Sequence, residues 1–124
     1  MQSYQDQKTA NKAHSGWVWL GQAASGVLLV GLLGLHWVAQ HYLASGGLRT
    51  FSDVVAYLKN PLALLLELSF LAVVTYHALL GLRAILLDLG PGRRLRQLLD
   101  ITLLVLGTAI LIYGVWLIRA ILTF

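Results

Sequence analysis

Three long apolar runs, separated by short polar breaks, constrain the fold of this chain most strongly. They cover about residues 17–44, 61–89 and 98–121, and each is long enough to cross the hydrocarbon core of a bilayer, which takes about 20 residues. Hydrophobic residues make up 58% of the chain and charged residues 11%, a balance that a soluble domain of this size cannot bury. The sequence therefore predicts an all-α integral membrane three-helix bundle, in a single domain over 1–124.

The polar breaks predict where these helices begin and end. Residues 1–15 form a polar segment, which we expect to be loosely ordered or to lie against a partner. Ser45-Gly46-Gly47 ends the first helix, and 48–60 reads as a loop with an interfacial helical turn. Asn60-Pro61 suits a helix start, and Gly90-Pro91-Gly92 ends the second helix.

The distribution of basic residues predicts the topology. Three spans place the amino terminus and the second loop on one side, and that side carries Lys8, Lys12, Arg93, Arg94 and Arg96. The positive-inside rule assigns it to the cytoplasm, so we expect a bacterial or archaeal cytoplasmic membrane with the carboxyl terminus outside. Basic clusters beside apolar runs set topology, and no nucleic-acid partner is predicted. With no Cys in the chain, disulfides and thiolate chemistry are excluded.

Three ionisable side chains lie within the predicted spans: His36, Glu67 and His77. Such residues are costly in a membrane and are candidates for function, although a histidine can also simply hydrogen-bond to a neighbouring helix. Helical rise places His36 and His77 at levels that differ by about 11 Å. Two imidazoles at such different depths do not suit one metal centre, so if both are ligands they serve two separate centres, and a second chain supplies the remaining ligands.

Other polar residues are weaker candidates. Ser25 lies on the same face of its helix as His36, and its hydroxyl could meet a polar group of a bound ligand, or bond to its own backbone. Glu67 could relay protons between the outer surface and a bound cofactor, or hydrogen-bond to a neighbouring helix. His14 could meet a ligand headgroup or a partner at the cytoplasmic interface, or be solvated.

A histidine-containing stripe on the second helix carries a resemblance to a known family. His77, Gly81, Arg83 and Asp88 form the pattern H-x3-G-x-R-x4-D, followed by Gly90. This resembles the second helix of cytochrome b anchor subunits of succinate dehydrogenases and fumarate reductases. The resemblance implies that His77 is an axial ligand of haem b and that Arg83 pairs with a propionate or the quinone region. Gly81, one turn from His77, would leave room for a porphyrin edge.

The first helix is similar to the same family at two places. Gln22-Ala23-Ala24-Ser25-Gly26 looks like the family's Gln-Arg-x-Ser/Thr-Gly opening, with Ala23 where the family usually has Arg. The run 31–36 is similar to the first helix of two-haem anchors, in which a histidine near the outer end, here His36, binds the distal haem.

The resemblance implies a non-catalytic subunit of an enzyme complex. It would carry electrons from an iron–sulfur subunit, itself joined to a flavoprotein subunit, to quinone. It would bind haem b, two haems shared with a second membrane anchor subunit, and a quinone near Ser25, Arg83, Asp88 and His14. Two alternatives stay open: a haem-free structural anchor of the same complex, and a small transporter with Glu67 as the coupling carboxylate.

Overall fold

The structure is a computed structural model that describes residues 2–43, 46–47 and 50–123, apart from the side chains of 2–15 and 43. Its helices are α1 Gln2–Val38, α2 Phe51–Leu58, α3 Pro61–Asp88 and α4 Arg93–Leu122, and a π-helical turn, Ala39–Leu43, continues α1. The described residues contain no β-strand, which confirms the all-α prediction.

Three helices are long and apolar enough to cross a membrane, as predicted. The candidate spans are Gly16–Tyr42, Pro61–Asp88 and Arg93–Leu122. The short helix α2 lies between the first two in sequence, at the position where an interfacial turn was expected. We call the end of the bundle at Gly16, Asp88 and Arg93 the amino-terminal end, and the opposite end the α2 end.

Two helix starts differ from the predicted positions. α1 begins at Gln2 and not near residue 17, so the expected loose polar segment is helical. The segment from Gln2 to Ser15 contains neither Gly nor Pro, and a helix that is already nucleated extends readily into such a sequence. α4 begins at Arg93 and not near residue 98, because Arg, Leu and Gln are good helix formers directly after Gly92.

Side-chain caps fix the start of the two helices that follow the first span. Thr50 and Asp53 form a reciprocal capping box at α2: the Thr50 N–H donates to Asp53 Oδ2 at 2.9 Å, and the Asp53 N–H donates to Thr50 Oγ1 at 3.2 Å. Asn60 Oδ1 accepts from the Leu62 N–H at 2.9 Å, and Pro61 occupies the first turn of α3. These caps satisfy backbone donors that would otherwise be unpaired.

The central helix is α3, which packs against both α1 and α4. Glycines on α4 permit its close approach to α3. A Cβ added at Gly107 would overlap the side chain of Leu79, and one at Gly114 would lie 2.5 Å from Leu71 Cδ2. Small residues at helix contacts are typical of membrane bundles, where close packing and not water exclusion drives association.

The outer surface of the bundle is apolar. Val27 and Val30 on α1 and Leu104 on α4 are each more than 70% exposed. A soluble protein rarely leaves such side chains in water over a wide area, whereas a bilayer or a partner helix accommodates them. The most buried apolar residues cluster at the α2 end, where Ala39, Tyr57, Leu58 and Ala63 pack together.

Candidate functional site

A polar layer on the α1–α3 contact surrounds His77. Ser25 Oγ lies 3.0 Å from His77 Nδ1 and donates its hydrogen to the Gln22 backbone carbonyl at 2.9 Å. A hydroxyl has one hydrogen to donate, so Ser25 accepts from the Nδ1–H of His77. This fixes the imidazole as the tautomer that carries its proton on Nδ1. Among the residues that the structure describes, His77 Nε2 has no hydrogen-bond partner.

Two glycines make room for this layer. A Cβ at Gly26 would lie 3.1 Å from His77 Cε1, so the imidazole packs directly on the α1 backbone. On α3, a Cβ at Gly81 would lie 3.2 Å from Gln22 Nε2. The space at Gly81, where the sequence predicted a porphyrin edge, thus accommodates the Gln22 side chain. The His77 layer consists of Gln22, Ser25, Gly26, His77 and Gly81.

One polar atom of the His77 layer has no partner within the described residues. Gln22 Oε1 is buried and accepts no hydrogen bond. Leaving a buried acceptor unpaired costs about 1–3 kcal/mol, and native structures rarely contain such a group without a reason. A donor from a ligand beside the layer would remove this cost. Sequence reasoning placed Gln22 in a motif but gave it no role, because its depth alone does not show what it contacts.

A second polar cluster surrounds His36 nearer the α2 end. His36 Nδ1 lies 2.9 Å from Glu67 Oε1, and the Tyr57 hydroxyl donates to the same oxygen at 2.8 Å. The His36 ring stacks on Phe70 with a centroid distance of 4.8 Å. Within the described part of the chain, His36 Nε2 has no hydrogen-bond partner. The His36 cluster consists of His36, Tyr57, Glu67 and Phe70.

Tyr57 reaches this cluster from α2, outside the candidate spans. Burial raises the pKa of Tyr57 far above its usual range, and the hydrogen bond to the Glu67 carboxylate raises it further. The phenol therefore remains a protonated donor. The contact ties α2 to α3, and sequence reasoning missed it because Tyr57 reads equally well as an interfacial aromatic residue.

A cavity of about 380 Å³ adjoins the His36 cluster. Its walls come from α1 with its π-helical turn, α2, α3 and α4 and are mostly apolar; the polar side chains that line it are His36, Gln40, Tyr57 and Glu67. Glu67 thus lies beside a space with little polar lining, where the field of a charge is weakly screened.

The contacts between α1 and α3 fix the relative depth of the two histidines. His77 is level with Ser25, and His36 is level with Glu67. Ten residues of α3 separate Glu67 from His77, which corresponds to about 15 Å along the helix axis. The expectation that the two imidazoles lie at different depths is confirmed, and the separation exceeds the expected 11 Å.

Arg83 has a partner that the sequence did not predict. Its Nε donates to Asp100 Oδ1 at 2.7 Å, and its Nη2 donates to Asp100 Oδ2 at 3.2 Å, which forms a two-point ion pair between α3 and α4. The two side chains are 37% and 45% exposed. They line a groove that also contains Tyr76. One signal could have predicted the pairing: Arg83 and Asp100 lie at nearly equal distances along the chain from Pro91, in the turn between their helices.

The remaining candidates are not joined to either polar group. Asp88 is exposed at the last residue of α3 and forms no ion pair with any described residue. The side chain of His14 lies outside the described part of the chain. No group of three or more His, Asp or Glu side chains that could hold a metal ion occurs among the described residues.

Comparison with known proteins places the chain in a family. Residues 3–117 match the succinate dehydrogenase/fumarate reductase transmembrane subunit family. The chain is 32% identical over 93 residues to a succinate dehydrogenase hydrophobic membrane anchor subunit of Thermoplasma acidophilum, covering 75% of this chain and 76% of the relative. A protein of Archaeoglobus fulgidus with the same description is 37% identical over 76 residues, covering 61% and 64%.

A bacterial relative is similar over a comparable stretch. The membrane subunit of succinate dehydrogenase 2 from Mycobacterium tuberculosis is 32% identical over 84 residues, or 67% of this chain and 61% of the relative. No solved structure matches the chain significantly. Because the family match covers nearly the whole length and agrees with three candidate spans, the chain is an integral membrane protein that belongs to the succinate dehydrogenase/fumarate reductase transmembrane subunit family.

Proposed function

We propose that this chain is the haem b-binding membrane anchor of a succinate:quinone oxidoreductase, and that His77 and His36 each provide one axial ligand to a separate haem. The observation that carries the proposal is shared by both residues: Nδ1 is engaged by a protein acceptor, and Nε2 is unpaired among the described residues. Histidines that bind metals typically donate one ring N–H to a protein acceptor and coordinate through the other nitrogen.

The surroundings of His77 fit a haem ligand. Ser25 holds the imidazole in one tautomer, and Gly26 lets the ring lie against the α1 backbone, so that both the direction and the rotation of the ring are restricted. The surroundings of His36 fit in a different way, because Glu67 anchors Nδ1 while Phe70 supports one face of the ring. In each case contacts within the protein orient the imidazole before a metal binds.

The separation of about 15 Å along the helix axis supports two haems and not one. Each iron would then need a second imidazole, which we assign to a second anchor chain. Haem held by these histidines and by imidazoles of the second chain would supply one-electron transfer. Within this chain, Ser25 and Glu67 orient the ligands, and mostly apolar side chains line the cavity beside His36.

We place the quinone site toward the amino-terminal end, near Ser25, Arg83 and Asp88. Arg83 is engaged by Asp100 through Nε and Nη2 but retains further N–H donors. The unpaired Gln22 Oε1 gives this region an acceptor suited to a quinol hydroxyl. By the positive-inside rule this end faces the cytoplasm, where an iron–sulfur subunit, itself joined to a flavoprotein subunit, would deliver electrons.

A haem-free anchor is the second candidate, because the interhelical bonds of His36 and His77 also satisfy these side chains in a bundle that holds no cofactor. Family membership favours either anchor over the transporter alternative. In addition, Glu67 is already hydrogen-bonded to His36 and Tyr57 of the same chain, which does not suit a coupling carboxylate.

Optical and low-temperature paramagnetic resonance spectra of the purified complex test the proposal. We expect low-spin haem b signals that resolve into two components. His77→Ala should remove one component and His36→Ala the other. Thr75→Val, a polar-to-apolar change on α3 where it packs near Gly107 of α4, should remove neither. A wild-type complex without low-spin haem b would refute haem binding and support the haem-free anchor.

A further inference from the structure

The two histidines differ in the chemistry of the group that accepts from Nδ1. His77 donates to a neutral serine hydroxyl, which in turn donates to a backbone carbonyl. His36 contacts a carboxylate, and that carboxylate also accepts from the Tyr57 hydroxyl. Both rings have a hydrogen-bond partner at Nδ1 and a packing contact that restricts their tilt. The two sites therefore differ in the charge of the acceptor.

An anionic acceptor makes an imidazole a stronger electron donor through its other nitrogen, because it draws the Nδ1 proton away from the ring. A stronger donor stabilises the more positive oxidation state of a bound metal and so lowers its reduction potential. The effect is large where screening is weak, and Glu67 lies beside a cavity with mostly apolar walls.

We infer that Glu67 is a positioning residue that sets the reduction potential of the haem at His36 below that of the haem at His77. The inference rests on the proposed function and deepens it, since it orders the two haems by the residues behind their ligands. Tyr57 moderates the effect: by donating to the same Glu67 oxygen it takes up part of the negative charge that would otherwise act on His36.

Two substitutions should therefore shift one potential in opposite directions. Glu67→Gln keeps the size of the side chain and removes its charge, so the midpoint potential of the His36 haem should rise. Tyr57→Phe keeps the charge and removes one of its two donors, so the same potential should fall. Ser25→Thr preserves the hydroxyl at His77 and should leave the His36 haem unchanged.

The experiment is a potentiometric titration of the purified complex, followed by haem absorption, with each component assigned by its loss in His36→Ala or His77→Ala. Thr75→Val is the matched control, because Thr75 is buried on α3 and, among the described residues, its hydroxyl bonds only to the Leu71 carbonyl of its own helix. In the wild type, the component of lower potential should be the one that His36→Ala removes.

The outcomes separate this inference from the proposed function. The inference is supported if two haems are present and the potential of the His36 haem rises in Glu67→Gln and falls in Tyr57→Phe. Two haems whose potentials do not move, or that move in the same direction in both variants, overturn the inference and leave haem binding intact. Absence of a haem component that depends on His36 overturns both. If Glu67→Gln loses the His36 haem, the shift in Tyr57→Phe tests the inference, because that variant keeps the Glu67 carboxylate.

Discussion

At the scale of single residues, hydrogen bonds engage Nδ1 of each histidine and leave Nε2 without a partner among the described residues. On α1, Ser25 and His36 are eleven residues apart, and on α3, Glu67 and His77 are ten residues apart. The bonds Ser25–His77 and His36–Glu67 therefore join the two helices at two separate levels. The sequence shows the stripe that Ser25 and His36 share, because eleven residues make about three helical turns. It does not show which residue of α3 faces that stripe, since the register depends on the connection between the helices.

The contact of His77 with the α1 backbone gives a prediction at this scale. Gly26→Ala adds a Cβ 3.1 Å from His77 Cε1, so the imidazole must shift, and overpacking of this kind typically costs about 1–3 kcal/mol. We expect a lower total haem b content in the purified complex, measured by the pyridine haemochrome assay.

The matched control for this substitution is Gly16→Ala. A Cβ added at Gly16 meets nothing within 4 Å. Both substitutions replace Gly by Ala within α1, so both gain the same helix propensity, about 1 kcal/mol. Equal haem content in both variants would argue against direct packing of His77 on α1.

At the scale of helices, apolar length predicts the spans well and the helix starts less well. The three spans follow from runs of more than 20 apolar residues. Apolar length does not predict the start of α1 at Gln2, because the segment before the span is polar. Its helix propensity does not by itself show whether the helix continues through it. The link from Tyr57 to Glu67 was equally hidden, since it needs the position of α2 relative to α3.

The ion pair between α3 and α4 gives a prediction at the scale of helices. A double-mutant cycle with Arg83→Gln and Asp100→Asn should give a coupling energy of about 0.2–1 kcal/mol, because both side chains are partly exposed. Reversible unfolding in mixed detergent micelles measures it. A coupling indistinguishable from zero would contradict the pairing, and we expect the coupling to weaken in high salt.

At the scale of the whole molecule, an apolar surface surrounds a bundle in which few of the described side chains are buried. The sequence predicts the membrane as one part of its environment. It does not show where lipid ends and a partner chain begins, because both accept the same apolar side chains. The assignment of partners therefore follows from the family and from the need for a second ligand at each proposed haem.

The topology is testable directly, because the chain contains no Cys. We expect Ala56→Cys on α2 to react in intact cells with a maleimide that does not cross membranes. Arg94→Cys at the start of α4 should react only after the membrane is permeabilised. Both positions are exposed in the bundle, so the reverse pattern would place the amino-terminal end outside the cytoplasm.

The central claim is that two imidazoles at different depths each bind a haem. The most direct test is the amount of haem b per anchor chain in the purified wild-type complex, from the pyridine haemochrome assay and quantitative amino-acid analysis. Two haems per copy of this chain are predicted. A value of zero would contradict haem binding altogether, and a value of one would contradict the assignment of His36 and His77 to separate haems.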